Sequence, residues 1–306
     1  MDSAGRGVKM KLGFIGLGRM GHNVVLNLID KKNKVVVFNR HADKVRKIAR
    51  KGAIGAYSIE ELVEKLPKPR VVVLMITAGK PVDSVMKQLF PLLSKDDTII
   101  EAGNSWYKDS QRRYKLCKSK GINFIDQGTS GGLNGARYGA SLMIGGDKKI
   151  FKRYENLFKD VATKDGYAYM GPAGAGHFVK MVHNGVEYAI EEAYAEGFEV
   201  LDKSKYKYDY EKVSNVWNHG SIVRSFLCET IQEAFRKDPK LKKFTGKIGG
   251  GETGTWTLKT ANSERVEMET LKHALKKRKQ SRKKQSFATK VVSAMRAEFG
   301  GHDEAK

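Results

Sequence analysis

"KLGFIGLGRMG", Lys11–Gly21, decides how the first half of this 306-residue chain folds. Lys11–Leu17 is a short, nearly unbroken apolar run, the pattern of a strand covered on both faces. Gly16, Gly18 and Gly21 follow as G-x-G-x-x-G, enclosing Leu17, Arg19 and Met20, and "MGHNVVLNLIDKK" (Met20–Lys32) continues at helix length. A strand, a glycine turn and a helix form the context in which this motif marks a dinucleotide site rather than a plain βα turn. Gly16 allows the tight turn, Gly18 lets a pyrophosphate approach the backbone, and Gly21 lets helix and strand pack closely. The helix N-terminus then faces the phosphates.

The same alternation extends outward. "KVVVFN" (Lys34–Asn39), "RVVVLMI" (Arg70–Ile76), "TIIEAG" (Thr98–Gly103) and "NFIDQG" (Asn123–Gly128) read as further strands, with "SLMIGG" (Ser141–Gly146) as one more. Helix-length segments such as "SIEELVEKL" lie between them. This predicts a doubly wound, mainly parallel α/β domain over 1–171. After "GPAGAG" (Gly171–Gly176) the strand pattern stops. Helical patterns run from Phe178 to about Leu201, from Glu211 to about Arg236, and twice more from Glu267. They predict an all-helical domain over 172–306. The glycine-rich "GKIGGGETGTW" (Gly246–Trp256) reads as a loop, because glycine destabilises helices.

The second strand ends at Asn39-Arg40. An NAD site usually carries an acidic residue here for the ribose 2′-hydroxyl. An amide followed by a guanidinium suits a 2′-phosphate instead, so NADP is favoured, with NAD possible.

Composition narrows the remaining classes. With 40% hydrophobic and 30% charged residues the chain can bury a core, and no stretch is apolar for long enough to span a membrane. The start, "MDSAGRGVKM", lacks the apolar block of a signal peptide; it reads as a short disordered leader or an expression remnant. Cys117 and Cys228 are far apart and in no metal-ligand spacing, which suggests reduced thiols, a cytoplasmic protein and no metal. The net charge of +23 attracts anions, from nucleic acid to phosphorylated acids and dinucleotides. Its densest segment, Lys272–Lys284, reads as a solvated helix face, and no interleaving of basic and aromatic residues supports a nucleic-acid reader.

"HFVKMVHNGVEY" (His177–Tyr188) places polar groups in a helix with buried character. At about 100° per residue, Lys180, Asn184 and Glu187 share a face, flanked by His183 and Tyr188, while Phe178, Val182 and Val186 turn into packing. The stripe is either a stabilising network or a site. A lysine and a carboxylate placed where a nicotinamide would lie could divide base and acid duties, with burial lowering the lysine pKa.

The chain resembles the decarboxylating 6-phosphogluconate dehydrogenases of the pentose phosphate pathway and gluconate utilisation, and its length matches their shorter class. The resemblance rests on "GFIGLGRMG", "IIEAGNSWYKDSQRR" (Ile99–Arg113), "TSGGLNGARYGASLMIGG" (Thr129–Gly146), "GAGHFVKMVHNGVEY" (Gly174–Tyr188), "WNHGSIVRSFL" (Trp217–Leu227) and "RAEFGGH" (Arg296–His302). It implies that Lys180 is the general base and Glu187 the acid that protonates the enediol. Asn184 and His183 would orient the substrate. Ser130, Gly131 and Gly132 would hold it near its carboxylate, and Asn104 would touch both cofactor and substrate. Tyr188 and Arg278 would contact the phosphate. In a homodimer, Arg296 and His302 would cross to the neighbour's substrate and complete its site. One departure stands out: Gly251 occupies the place of a phosphate-binding lysine in the long class. Two alternatives remain, a β-hydroxyacid dehydrogenase of the 3-hydroxyisobutyrate type and a nucleic-acid-binding protein on a Rossmann scaffold. Glu187 and the Arg296–His302 tail argue against the first.

Overall fold

The structure, a computed structural model, describes residues 9–301. The expected N-terminal leader and His302 lie outside them. The first unit is built on an eight-stranded sheet in the order β3-β2-β1-β4-β5-β6-β7-β8. The strands are β1 (Lys11–Ile15), β2 (Lys34–Phe38), β3 (Ile54–Gly55), β4 (Val71–Leu74), β5 (Thr98–Glu101), β6 (Asn123–Ser130), β7 (Ala140–Gly146) and β8 (Ala162–Gly171). All neighbours pair in parallel except β6 with β7. This is the doubly wound, mainly parallel sheet expected from the sequence.

Alternation along each strand divides the apolar residues between two cores. Val35 and Val37 of β2 and Val71 and Val73 of β4 join one cluster with Leu12 and Phe14. Val36, Val72 and Leu74 join the other with Ile15 and Ile99. Burial on both faces explains why these strands are continuously apolar.

Two strands escaped the sequence reading. β3 is only two residues long, and β8 is half-exposed and polar, "ATKDGYAYMG", so it lacks the apolar run that marked the others. The first strand also stops at Ile15 rather than Leu17, because Gly16 turns the backbone to φ +110°.

The chain divides into compact units of 1–181 and 182–306, the division falling within the 29-residue helix Ala175–Lys203. The change in sequence pattern lies earlier, at Gly171, where β8 ends. In chain order the helices of the first unit are α1 (Arg19–Asp30), α2 (Ala42–Ala49), α3 (Ile59–Glu64), α4 (Lys80–Leu89), α5 (Tyr107–Ser119), α6 (Gly132–Tyr138), α7 (Lys148–Arg153) and α8 (Glu155–Val161). The long helix is α9 (Ala175–Lys203). It is followed by α10 (Tyr210–Asn218), α11 (Phe226–Lys237), α12 (Glu252–Ser263), α13 (Glu269–Gln280) and α14 (Phe287–Gly300).

The helical unit is all-α among the described residues, with three corrections to the sequence reading. The pattern from Glu211 to Arg236 is two helices, because Gly220 at φ +84° breaks it and Ser225 caps a new start. The loop expected over Gly246–Trp256 ends at Gly251, and Glu252 opens α12. Gly254 is tolerated inside that helix because a Cβ there would stand 2.6 Å from the Tyr188 ring. Val186, expected in packing, is 48% exposed. Among the described residues no helix is long and apolar enough to cross a membrane.

Candidate active site

At the end of β1 the glycine motif adopts the geometry its spacing implied. A Cβ on Gly16 would stand 2.2 Å from the Met75 carbonyl oxygen, and one on Gly21 would stand 2.0 Å from that of Gly16. A Cβ on Gly18 would meet nothing within 4 Å, so the backbone there is open to a ligand. Gly18 is the N-cap of α1 and offers no side-chain cap, which leaves the first-turn amides facing outward for an anion. Arg19 is exposed and Met20 half-buried in that turn, and Leu17 is buried. Asn39 fixes the turn: its Oδ1 accepts from the Leu17 N–H at 3.0 Å and its Nδ2 donates to the His41 carbonyl at 3.4 Å. Arg40 beside it is exposed. A crowded turn, an open Gly18 and a free helix start together fit a dinucleotide pyrophosphate.

The tops of β5 and β6 are clamped together. Asn104, at φ +54°, accepts from the Thr129 N–H at 2.9 Å and donates to the Thr129 carbonyl at 3.1 Å. Asn104 is thereby held beside half-buried Ser130, Gly131 and Gly132, where Gly131 and Gly132 both take positive φ. Lys180 is 5% exposed. The first turns of α9 press on β6 and β7 through glycine: a Cβ on Gly128 would fall 2.3 Å from the Lys180 Cβ, and one on Gly176 would fall 2.5 Å from the Met143 carbonyl oxygen.

Buried Asp126 starts that helix, accepting from the Gly174 N–H at 2.7 Å and the His177 N–H at 2.8 Å. His177 Nδ1 meets Ser110 Oγ at 2.7 Å and lies 3.6 Å from Glu101. Glu101 in turn pairs with fully buried Arg113 at 3.4 Å, which also donates to Ser105 at 3.0 Å and to Asp83 at 2.9 Å. None of this buried network was assigned a role from the sequence. The available signal was carboxylates standing inside apolar strands, at Glu101 and Asp126.

The helical unit carries the other part of the stripe. His183 Nδ1 lies 3.1 Å from Asn184 Oδ1 and 3.6 Å from the Glu187 carboxylate. Asn184 Nδ2 donates to Thr253 Oγ1 at 3.1 Å, and the Tyr188 hydroxyl meets the same oxygen at 2.9 Å. Thr253 is the residue the sequence reading missed, because its segment was read as a glycine loop. Burial pushes the Tyr188 phenol pKa up, an effect the nearby Arg278 charge partly offsets.

Arg278 stacks its guanidinium 3.9 Å from the Tyr188 ring centre. It donates to Glu191 at 2.6 Å and to the Gly249 carbonyl at 3.1 Å. Within the basic run it is the buried exception, while Lys272, Lys276, Lys279 and Arg282 are exposed, as a solvated face should be. Arg296, expected to reach a neighbouring subunit, is 5% exposed and packed in its own unit. Its Nη2 would stand 3.6 Å from a Cβ on Gly250. Arg296 lies inside α14, directly after buried Met295.

One group of metal-ligating type exists among the described residues: Glu192, Glu196 and His273 place ligand atoms within 4.8 Å of one another. Lys277, 3.8 Å from Glu196, supplies a competing positive charge.

Comparison with known proteins agrees with both units. Residues 11–171 match the family profile described as the NAD binding domain of 6-phosphogluconate dehydrogenase, and residues 176–304 match its C-terminal domain. A Bacillus subtilis relative bearing the 6-phosphogluconate dehydrogenase name is 45% identical over 97% of this chain and 100% of its own. An NAD(+)-dependent, decarboxylating 6-phosphogluconate dehydrogenase of Haloferax volcanii is 41% identical over 97% of this chain and 99% of its own. The solved 6-phosphogluconate dehydrogenase of Plasmodium falciparum is 35% identical and superposes with a TM-score of 0.81, covering 89% of this chain and 62% of that one. With the glycine turn, the lysine-bearing helix and both profiles in agreement, the chain belongs to the 6-phosphogluconate dehydrogenase family.

Proposed function

We propose that the chain oxidises and decarboxylates 6-phosphogluconate to ribulose 5-phosphate and carbon dioxide. The observation that carries this reading is α9, which holds a 5% exposed lysine against Gly128 and, seven residues on, a carboxylate 3.6 Å from His183, which also meets Asn184. Lys180 takes the proton of the 3-hydroxyl. A bound nicotinamide dinucleotide supplies the hydride acceptor for C3. The resulting β-keto acid loses carbon dioxide once charge developing on its oxygen is stabilised, and the now protonated Lys180 provides that positive charge. Glu187 then delivers a proton to C1 of the enediol. His183 and Asn184 orient the substrate, Ser130, Gly131 and Gly132 hold the carboxylate end, and Tyr188, Arg278 and Arg296 take the phosphate. Glu187 separates this chemistry from simple β-hydroxyacid oxidation, which needs no acid at C1.

NADP is the preferred cofactor in this reading, supported by exposed Arg40 next to an amide where an NAD site carries a carboxylate. The Haloferax relative is named for NAD(+), and the Plasmodium enzyme was solved with NADP+, so both cofactors occur in relatives. In this reading the enzyme is cytoplasmic, which the two free, buried thiols support. It acts as a homodimer in which residues beyond Gly301, His302 among them, complete the neighbour's site.

The decisive assay is steady-state turnover of 6-phosphogluconate with NADP and with NAD, following reduced cofactor and released carbon dioxide together. Stoichiometric release is expected; oxidation without carbon dioxide would return the chain to the 3-hydroxyisobutyrate type. For the dimer, subunits truncated after Gly301 are mixed with Lys180→Met subunits. Two inactive parents should yield an active hybrid, whereas no recovery despite proven mixing would mean that the tail serves its own subunit.

A further inference from the structure

Glu191 has no role in the chemistry above, yet it is among the most completely buried charges of the helical unit. Its side chain is 1% exposed and that of Arg278 is 5% exposed, and they meet at 2.6 Å. A buried carboxylate is retained only with a partner, and a buried guanidinium likewise. Arg278 is held at three points: Nη2 on Glu191, Nη1 on the Gly249 carbonyl, and its plane over Tyr188. The hold continues through the Tyr188 hydroxyl to Thr253 and from Thr253 to Asn184. A guanidinium has five N–H donors in a rigid fork, so fixing one edge on a carboxylate aims the remaining donors.

We propose that Glu191 is a positioning residue for the substrate's phosphate: it orients Arg278 and thereby sets the preference for a phosphorylated over an unphosphorylated sugar acid. This rests on the reading of Arg278 as a phosphate contact. Glu191 touches no substrate atom itself. The phosphate stands at the end of 6-phosphogluconate remote from its reacting carbons, so the loss of Glu191 should fall on KM more than on kcat.

The test compares wild type, Glu191→Gln, Glu191→Leu and the paired Glu191→Leu/Arg278→Met variant as full-length enzymes. Each is assayed with 6-phosphogluconate and with gluconate, and titrated calorimetrically with inorganic phosphate. Glu191→Leu should raise KM for 6-phosphogluconate on the order of tenfold, the value of a hydrogen bond to a charged group, with a smaller change in kcat. The ratio of kcat/KM for 6-phosphogluconate over gluconate should fall by a similar factor, and phosphate affinity with it. Glu191→Gln keeps a hydrogen-bond acceptor and should recover part of the loss. Should the single Leu variant fail to fold, the paired variant removes both charges and should fold without phosphate selectivity. An equal fall on both sugar acids, or unchanged phosphate affinity in Glu191→Gln and in the paired variant, overturns the proposal. A wild type that binds phosphate but does not turn over 6-phosphogluconate overturns the proposed function instead, and the phosphate titrations still read Glu191.

Discussion

In the α/β unit the proposed pyrophosphate site is made of glycines, and in the helical unit the proposed phosphate contacts are long side chains braced by other side chains. Gly16 and Gly21 are locked because a Cβ on either would collide with backbone, while Gly18 stands open. Tyr188, Asn184 and Arg278 are locked because Thr253 and Glu191 hold their polar atoms. In the proposed function the first arrangement holds an anion with main-chain amides and a helix start, so it needs atoms to be missing. The second needs atoms to be present and correctly aimed. The two should therefore fail in opposite ways, the first when a methyl is added and the second when a functional group is removed.

The sharpest test is on α9. Lys180→Met should depress hydride transfer by roughly 10²–10⁴-fold, the usual consequence of losing a positioned acid or base. Glu187→Gln should instead alter exchange of the C1 hydrogens with solvent, because its part comes after carbon dioxide has left. Near-normal turnover in Lys180→Met would show the polar stripe to be a structural network only.

Adding a methyl tests the other unit. Gly21→Ala brings a Cβ to 2.0 Å from a backbone oxygen that no rotamer change can move. Overpacking of this kind costs about 1–3 kcal/mol, so the melting temperature should fall along with cofactor affinity. Gly18→Ala, with nothing within 4 Å, should leave the melting temperature unchanged and weaken cofactor binding alone. Equal loss of stability in both variants would break the contrast.

Arg40 is the one long side chain of the cofactor end given a recognition role. Arg40→Ala should raise the NADP KM about tenfold to a hundredfold, the equivalent of about 1.5–3 kcal/mol for a charge-assisted contact, and leave the NAD KM nearly unchanged. Matching changes for both cofactors would remove Arg40 from that role.

The smallest effect concerns a buried thiol. Burial pushes Cys117 from 9.0 up to about 12. The folded state thus holds the neutral thiol while an unfolded chain ionises near the ordinary value. This contribution to stability is complete below pH 9.0 and is lost as pH rises toward about 12. Maleimide labelling of Cys117 at pH 8 should proceed only after denaturation, and fast labelling of the native protein would contradict the burial.

What the sequence by itself determined was local. Glycine spacing after a β-branched run marked the dinucleotide turn, and helical periodicity placed Lys180, Asn184 and Glu187 on one face, because both are set by neighbours within a few residues. It also marked the end of the strand pattern near Gly171, where β8 stops. The tertiary structure alone decided which polar residues are braced, and by what. Thr253 meets Tyr188 across 65 residues and Arg278 meets Glu191 across 87, and no periodicity encodes such distances. The basic run reads as one solvated face, yet the packing of α13 buries Arg278 and leaves Lys272, Lys276 and Lys279 in water. Asp126 caps α9 from a strand 48 residues upstream, and the polar edge strand β8 exists only because β7 offers it a partner. Burial and pairing are properties of surfaces brought together by folding, and a one-dimensional pattern reports only those that repeat along its own axis.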